Sequence, residues 1–128
     1  MRYLAAQELL MLHARVVDAT GGVHGVRDVG LLQSIIVKPS TQFGGKELYP
    51  GLFKKTAILL EAIANYHVFI DGNKRTSITA AAYFLYLNGY ELSATNKAIE
   101  KTVLAVATKH MDLDTLEAWL EKHSSRAV

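Results

Sequence analysis

Two neighbouring stretches of the chain, residues 52–66 and 74–88, are so rich in apolar side chains that both must be buried. Their apolar residues recur at the 3.6-residue spacing of a helix and leave little polar surface on any side. A helix that is apolar nearly all round belongs in the interior of a protein. Gly89 follows the second stretch as a left-handed helix cap. The sequence therefore predicts two central helices joined by a short polar connection.

The N-terminal third of the chain predicts two further helices. The first covers about 5–19, where leucines and valines recur at helical spacing before a pair of glycines stops the pattern. His13 lies on the apolar stripe of this helix, and we interpret it as a partly buried structural histidine. A second, shorter helix is predicted to start at Asp28, a favourable N-cap, and to end before Pro39.

The remaining segments complete an all-α prediction. Residues 40–51 hold three glycines and a proline, which indicates a loop or a short flap. A helix is expected to begin near Thr95, with three apolar residues turned inward: Ile99, Val103 and Val106. The last helix carries Asp114 and Glu117, which we interpret as its capping pair. No segment has the period-two alternation of a strand, so a helical bundle is the predicted fold class.

The composition is that of an ordinary globular protein and argues against several kinds of function. The 128 residues fit one domain, 1–128, and are enough to bury a core. Fourteen Lys and Arg against twelve Asp and Glu leave a net charge of +2, with the basic residues scattered, so we expect no nucleic-acid binding. There is no cysteine, no signal-peptide pattern and no uncharged apolar run of the ~18 residues that a membrane span needs. We expect a soluble cytoplasmic protein without membrane contact.

The polar connection between the two central helices is the strongest candidate for a functional site. A connection held at both ends by buried helices is rigid, as a preorganised site requires. The helix that follows begins at about Asn73, and its free N–H groups and partial positive charge favour anions, phosphates in particular. Gly72 lets a phosphate approach the backbone, while Lys74 and Arg75 add two cations where helices normally prefer acidic residues. This pattern predicts a phosphate-binding site.

Two more side chains of the connection suit phosphate chemistry. Asp71 supplies a hard oxygen ligand for a Mg²⁺ ion that bridges phosphate oxygens. His67 can accept a proton near neutral pH and so act as a general base toward an attacking hydroxyl. The apolar Val68 and Phe69 are expected to anchor the connection in the core. Each polar residue alone has an ordinary explanation, as part of a turn or a solvated surface, but their combination on one connection favours a site.

The string HVFIDGNKR, residues 67–75, resembles the active-site signature of the Fic/Doc superfamily over nine consecutive positions. Lys74 occupies the eighth position, where AMP-transferring Fic enzymes carry glycine, and this resembles the Doc (death-on-curing) branch. The segments VRDVGLLQSII, YPGLFKK and LEAWLEKH extend the similarity over nearly the whole chain. The resemblance implies an all-helical Fic fold with the active-site loop between two central buried helices.

The resemblance also implies a role for each residue of the signature. His67 would deprotonate the hydroxyl of a target protein, and Asp71 would bind Mg²⁺. The phosphates of ATP would lie against the residues that follow: Gly72, Asn73, Lys74 and Arg75.

Two departures from the AMP-transferring pattern concern which part of ATP is transferred. Those enzymes carry a second arginine where this chain has Ile78, and Lys74 fills the space that glycine leaves for the α-phosphate. In Doc proteins the nucleotide binds inverted, and the γ-phosphoryl group passes to a threonine of elongation factor Tu, which arrests translation. A Doc-type protein kinase toxin is thus the leading hypothesis. An AMP-transferase of the wider Fic kind and a catalytically silent Fic-fold binding module are the alternatives.

The sequence also bears on how such an enzyme would be inhibited. Many Fic proteins silence themselves with a helix of the pattern Ser/Thr-x-x-x-Glu-Gly/Asn, and this chain has no match, since Thr95 and Glu100 have the wrong spacing. Inhibition would then come from another chain. The resemblance implies a small antitoxin whose C-terminal segment folds into a helix in a groove on the toxin surface.

Overall fold

The computed structural model describes residues 1–127, and within them the fold is built from six α-helices. They are α1 (Ala6–Thr20), α2 (Val29–Val37), α3 (Leu52–Tyr66), α4 (Asn73–Leu87), α5 (Asn96–Ala107) and α6 (Leu113–Lys122). A short 3₁₀ turn, Lys38–Ser40, follows α2. The predicted all-α class is confirmed, and α3 has the predicted bounds. None of the helices in this part of the chain is both long and apolar enough to cross a bilayer.

Four short strands form two antiparallel pairs that the sequence pattern did not predict. Strands β1 (Gln42–Phe43) and β2 (Lys46–Glu47) make a hairpin within the predicted loop or flap. Strands β3 (Tyr90–Leu92) and β4 (Ser124–Arg126) pair the segment after α4 with the end of the described chain. Strands of two or three residues are too short to show a period of two, so they leave no signal in the sequence.

Helix α3 lies at the centre of the fold and contributes to two groups of core residues. Leu59 and Ile63 pack in one group with Phe84 of α4. Leu60, on another side of α3, packs in the second group with Leu116 of α6. Burying each such leucine contributes about 1.5–3 kcal/mol relative to leaving it exposed. Helix α3 therefore positions its C-terminal end, where the polar connection starts, through contacts on several sides.

Helix α4 is buried along one face rather than on all sides. Ala80, Ala81 and Phe84 are inaccessible to solvent, whereas Tyr86 is 67% exposed. The expectation that α4 is buried nearly all round is therefore too strong. Gly89 follows the helix with φ +87°, the left-handed conformation expected of a C-terminal cap.

The predicted N-cap of α2 is confirmed, and α5 begins where expected, with Thr95 as its N-cap. The Asp28 side chain accepts a hydrogen bond from the backbone N–H of Leu31 at 3.0 Å, and the Thr95 hydroxyl accepts one from Ala98 at 3.1 Å. A side chain that accepts from the third residue beyond it satisfies one of the free donors of the first helical turn.

The predicted capping pair of α6 is wrong. Asp112 is the N-cap and accepts from the backbone N–H of Thr115 at 2.8 Å. Hydrogen bonding by Thr115, through its side chain and then its backbone, holds the pKa of Asp112 below the ordinary value of an aspartate. Asp114 and Glu117 instead approach the Lys54 ammonium of α3, at 2.8 and 3.5 Å. Two aspartates stand two positions apart, and only the packing of α6 on α3 decides which one caps the helix.

A buried lysine holds the β1–β2 hairpin to the central helix. Lys55 is only 1% exposed, and its ammonium donates to the Tyr49 carbonyl at 2.5 Å and pairs with Glu47 of β2 at 3.1 Å. Burying an unpaired ammonium would be strongly unfavourable, so these contacts fix the position of the β1–β2 hairpin relative to α3.

Both ends of the described chain attach to the C-terminal end of α4. The backbone of Arg2 exchanges two hydrogen bonds with the Asn88 side chain, each 2.8 Å long. At the other end, strand β4 pairs with β3, and the Ala127 N–H donates to the Gly89 carbonyl at 2.9 Å. These contacts lie at the opposite end of α4 from the polar connection.

Candidate active site

The connection between α3 and α4 begins with His67 in a left-handed backbone conformation, φ 52° and ψ 45°. The Arg27 guanidinium donates to the His67 carbonyl at 2.7 Å and to the Tyr66 carbonyl at 3.4 Å. It thus satisfies two carbonyls that a helix leaves free at its C-terminus, where a cation is also favourable. The imidazole of His67 is left exposed to solvent. Sequence reasoning missed Arg27, because it lies 40 residues away in the chain.

The next two residues anchor the connection, as predicted. Val68 and Phe69 are at most 1% exposed. The Val68 carbonyl accepts from the backbone N–H of Arg27 at 2.8 Å. The Asn73 side chain accepts from the Phe69 N–H at 3.0 Å and donates to the Phe69 carbonyl at 2.9 Å. The side chain of Asn73 therefore closes the turn, and the backbone N–H is the part of this residue that is left to face a ligand.

His13 supports the same turn from helix α1. It is 4% exposed, which confirms a buried structural histidine, and its ring stacks on Phe69 with centroids 3.7 Å apart. Its Nε2 lies 2.8 Å from the Asp71 carbonyl. Since a carbonyl can only accept, Nε2 must carry the hydrogen. His13 therefore holds the backbone of Asp71 in place, a contact that only the packing of α1 against the turn reveals.

The Asp71 carboxylate lies at the surface between two backbone donors. One oxygen accepts from the Gly72 N–H at 2.8 Å and the other from the Val23 N–H at 3.2 Å. Asp71 supplies the only carboxylate among the residues that line the cavity described below, and among residues 1–127 no cluster of three or more acidic or histidine side chains could hold a metal ion. A single carboxylate nevertheless suits Mg²⁺, which keeps waters and takes its other ligands from substrate phosphates.

The loop after α1 is pressed against the connection and needs glycine there. A Cβ atom on Gly22 would lie 2.6 Å from an Asp71 carboxylate oxygen, and one on Gly25 would lie 2.7 Å from the Ile70 side chain. Both glycines also have a positive φ. The sequence analysis treated the glycines after α1 as a helix stop, and the structure adds that this loop forms a wall beside Asp71.

Helix α4 starts with an uncapped and cationic first turn. Its N-cap is Gly72, with φ +76°, and within residues 1–127 no side chain accepts from the free N–H groups of the first turn. Lys74 and Arg75 are exposed, the first turn carries no acidic residue, and neither cation forms an ion pair within residues 1–127. Free donors, the helix dipole and two full charges therefore all favour an anion at this point.

All six residues predicted from the sequence line one cavity of about 410 Å³. They are His67, Asp71, Gly72, Asn73, Lys74 and Arg75. Three residues complete the wall: Thr20, Gly21 and Ile70. The arrangement places an imidazole, a carboxylate and a cationic helix start on the same cavity, and these groups suit the transfer of a phosphorylated group. We call this space the phosphate cavity.

A second, larger cleft of about 850 Å³ also reaches His67. Its other lining residues come from helix α3, from the end of α5 and from the turn between α5 and α6. They are Glu61, Asn65 and Tyr66 of α3, Val106 and Ala107 of α5, and Lys109, His110, Met111 and Asp112 of the turn. His67 is the one residue that lines both spaces. We call this second space the α5–α6 cleft. The sequence pattern does not predict this cleft, because it joins two segments of the chain that are about 40 residues apart.

Known proteins that are similar in sequence identify the family of this chain. The Fic/DOC family model matches residues 3–85, about two thirds of the chain, so the protein belongs to the Fic/DOC family. The match covers helices α1 to α3, helix α4 as far as Leu85, and every residue that lines the phosphate cavity.

Two curated relatives carry more specific names. The chain is 40% identical over 112 residues to Toxin Doc of Mycolicibacterium smegmatis, a match that covers 85% of each protein. It is 33% identical over 103 residues to Protein kinase doc of Escherichia phage P1, which covers 80% of this chain and 81% of that protein. The expected resemblance to the Doc branch is thereby confirmed.

Proposed function

We propose that this protein is a Doc-type toxin that acts as an ATP-dependent protein kinase and phosphorylates a threonine of a translation factor, elongation factor Tu. The observation that carries the proposal is the phosphate cavity, where His67 faces the uncapped, cationic start of helix α4. The names of the two relatives, a toxin and a protein kinase, support it.

ATP is the nucleotide that the site is proposed to bind, with its terminal phosphate against the start of α4. The backbone N–H groups that follow Gly72 point out of the helix end, and Arg75 and Lys74 supply the charge. Because the Asn73 side chain is bonded to Phe69, we assign the phosphate contact of this residue to its backbone. Lys74 places bulk and charge at the position that AMP transfer would need to be open, which favours transfer of the γ-phosphoryl group.

Mg²⁺ is the proposed metal, and Asp71 is its proposed protein ligand. The carboxylate lies beside the Gly72 N–H, at the edge of the phosphate cavity. When bound, the ion would neutralise charge on the phosphate oxygens. The hydrogen bonds from Gly72 and Val23 hold the carboxylate in one orientation.

His67 is proposed to act as the general base. Its ring is exposed at the junction of the two cavities, so a hydroxyl that enters from the α5–α6 cleft can meet a phosphate that is bound in the phosphate cavity. The hydroxyl oxygen forms a bond to the γ-phosphorus as the bond from that phosphorus to the ADP oxygen breaks, and the hydroxyl proton passes to the imidazole. The protein's contribution is mainly position and charge, as in other phosphoryl transfers.

One experiment tests this assignment directly. Purified protein is incubated with ATP, Mg²⁺ and a bacterial lysate, and the modified protein and the added mass are identified by mass spectrometry. A phosphate increment on a threonine of elongation factor Tu is the expected result. An AMP increment from the native protein would overturn the kinase assignment in favour of AMP transfer. Absence of any increment in lysate, with ATP binding intact, would instead support a silent binding module.

The proposal also includes an antitoxin that binds through a helical segment in a groove on the surface, and a cytoplasmic site of action where translation takes place. This part of the proposal is motivated by the toxin name of one relative and by the missing internal inhibitory motif. Expression of the chain alone should slow bacterial growth, and expression of the His67→Ala variant should not. Normal growth with active protein present in the cell would contradict the toxin assignment.

A further inference from the structure

The α5–α6 cleft is the second space that the proposed catalytic base can reach. The two cavities share His67 and no other residue. If the phosphates occupy the cavity at the start of α4, as the proposed function requires, the acceptor hydroxyl has to approach His67 from elsewhere. At about 850 Å³ the α5–α6 cleft is twice the volume of the phosphate cavity, which is enough for several side chains of another protein.

Backbone strain singles out the same cleft. Within residues 1–127 only His67 and Lys109 combine a side chain with a positive φ, 52° and 61°, and both line this cleft. Non-glycine residues in this conformation concentrate at functional sites, where the function of the side chain offsets the energetic cost of the backbone conformation. Their shared location is therefore an independent reason to assign a function to the cleft.

Lys109 stands at a position where helices that end in a left-handed residue usually have glycine. Helix α5 ends with two hydrogen bonds, from His110 to the Ala105 carbonyl at 2.8 Å and from Lys109 to the Val106 carbonyl at 3.1 Å. This is the Schellman arrangement, whose left-handed residue is usually glycine because a Cβ atom is unfavourable there. A glycine would fit the turn better, so the turn itself gives no reason for the lysine. Within the described chain the Lys109 ammonium forms no ion pair.

We propose that the α5–α6 cleft binds the segment of the protein substrate that carries the acceptor hydroxyl, and that Lys109 recognises an acidic side chain of that segment. The inference rests on the proposed kinase function and adds to it the docking site and the charge that is recognised. The Lys109 ammonium, which forms no ion pair within residues 1–127, supplies the complementary charge at one side of a cleft that the carboxylates Glu61 and Asp112 also line. The contact of the cleft with His67 places the hydroxyl beside the base.

The Lys109→Gly variant tests the proposal, because it removes the ammonium and also relieves the backbone strain. The probe is the acceptor protein that the native enzyme phosphorylates in lysate, purified. We expect the KM for this acceptor to rise about tenfold, as for the loss of one charge-assisted hydrogen bond, while kcat and the Kd for ATP stay within twofold. The melting temperature should not fall. Lys109→Arg should keep most of the acceptor affinity.

Lys101→Ala is the matched control, since Lys101 is an exposed lysine on helix α5, which precedes Lys109, and it does not line the cleft. An unchanged acceptor KM in Lys109→Gly, with native transfer intact, would overturn the cleft assignment and leave the kinase proposal standing. Weaker binding of ATP by that variant would also overturn the cleft assignment, because the α5–α6 cleft would then bind the nucleoside of ATP. If the native enzyme modifies no acceptor at all, the proposed function itself is wrong, and the cleft assignment falls with it.

A second measurement does not depend on turnover. The chain has no cysteine, so Met111→Cys in the cleft and Thr20→Cys in the phosphate cavity each give one attachment point for a photo-cross-linker. The proposal expects the acceptor to be captured from position 111 and not from position 20. Equal capture from both positions, or capture from position 20 alone, would contradict it.

Discussion

Helices α4 and α6 begin in opposite ways. Helix α6 starts as most helices do, with the Asp112 carboxylate capping a backbone N–H at 2.8 Å and Asp114 as a second negative charge in the first turn. Helix α4 starts at Gly72, which has no side chain to cap with, and then carries Lys74 and Arg75. Both starts lie in the same domain and are exposed to the same solvent, so the difference is in the sequence alone.

The comparison separates a helix start that stabilises the fold from one that is available to a ligand. In α6 the donors and the dipole are satisfied by the protein's own carboxylates. In α4 they are satisfied by nothing in the described chain, and the helix holds its position through its packing on α3, with Ala80 and Phe84 fully buried. A helix held by its core face can leave its first turn open for a phosphate.

The largest predicted effect separates chemistry from binding at the start of α4. Replacing His67 by asparagine, which tolerates the left-handed conformation but is no base, should lower the rate of phosphoryl transfer by about 10²–10⁴-fold. ATP binding should remain within twofold, because the start of α4 is unchanged. Single-turnover kinetics and calorimetric titration with ATP measure the two effects. His24→Asn, which alters an exposed histidine paired with Asp18, is the control, and equal losses in both variants would contradict the role of His67.

Reversing a charge should turn the start of α4 into one that resembles α6. Lys74→Glu is expected to weaken ATP binding by roughly 10²-fold, since an attraction to phosphate becomes a repulsion. The same change should stabilise the fold by about 0.3–1 kcal/mol, because an acidic residue then meets the positive end of the helix dipole. Titration with ATP and thermal unfolding measure the two effects. Asp114→Lys is the mirror variant and should lower the melting temperature without changing the affinity for ATP. A loss of stability in Lys74→Glu would contradict the contrast drawn between the two helix starts.

A third prediction concerns the one carboxylate in the phosphate cavity. Asp71→Asn should weaken binding of ATP in the presence of Mg²⁺ by roughly 10–100-fold, the value of one charged interaction of about 1.5–3 kcal/mol. Binding of ATP in the presence of a chelator should change little. If the variant binds ATP with the same dependence on Mg²⁺ as the native protein, the metal role of Asp71 is excluded.

The smallest effect is expected at the start of α6, where the Asp112 cap stabilises the fold and does not line the phosphate cavity. Asp112→Ala should lower the melting temperature by a few degrees at neutral pH and leave ATP binding unchanged. Since the pKa of Asp112 is lowered in the folded protein, its stabilisation is fully present above the ordinary aspartate value of about 3.9 and is lost as the pH falls through the lowered pKa. Thermal unfolding between pH 2 and 7 should therefore show native protein and variant converging only at the acidic end. A constant difference at all pH values would contradict the cap.

The sequence predicted best where one helix decides the outcome. The bounds of α3 follow from its own apolar pattern, from Gly51 before it and from the string HVFIDGNKR after it. The six predicted residues that line the phosphate cavity are nearly consecutive in the chain. What it missed depends on distant contacts. Arg27 reaches the His67 carbonyl across 40 residues, and His13 reaches Asp71 across 58.

The α5–α6 cleft and the cap of α6 were missed for the same physical reason. Either aspartate could cap α6 by its local pattern, and Lys54 on a different helix settles the choice by pairing with Asp114. The left-handed backbone of Lys109 also gives no sequence signal, since lysine is an ordinary residue near a helix end. Such features are set by the packing of helices on one another, which a pattern along a single helix does not contain.

The attachment of both chain ends to the far end of α4 has a practical consequence for assays. Residues near Asn88 hold the start and the end of the described chain, and fifteen helical residues, about 22 Å, separate them from the first turn of α4. A fluorophore or affinity tag on a linker at either end therefore sits away from the start of α4, where the phosphate cavity lies. Binding of ATP can be followed with labelled protein without the label competing for that cavity.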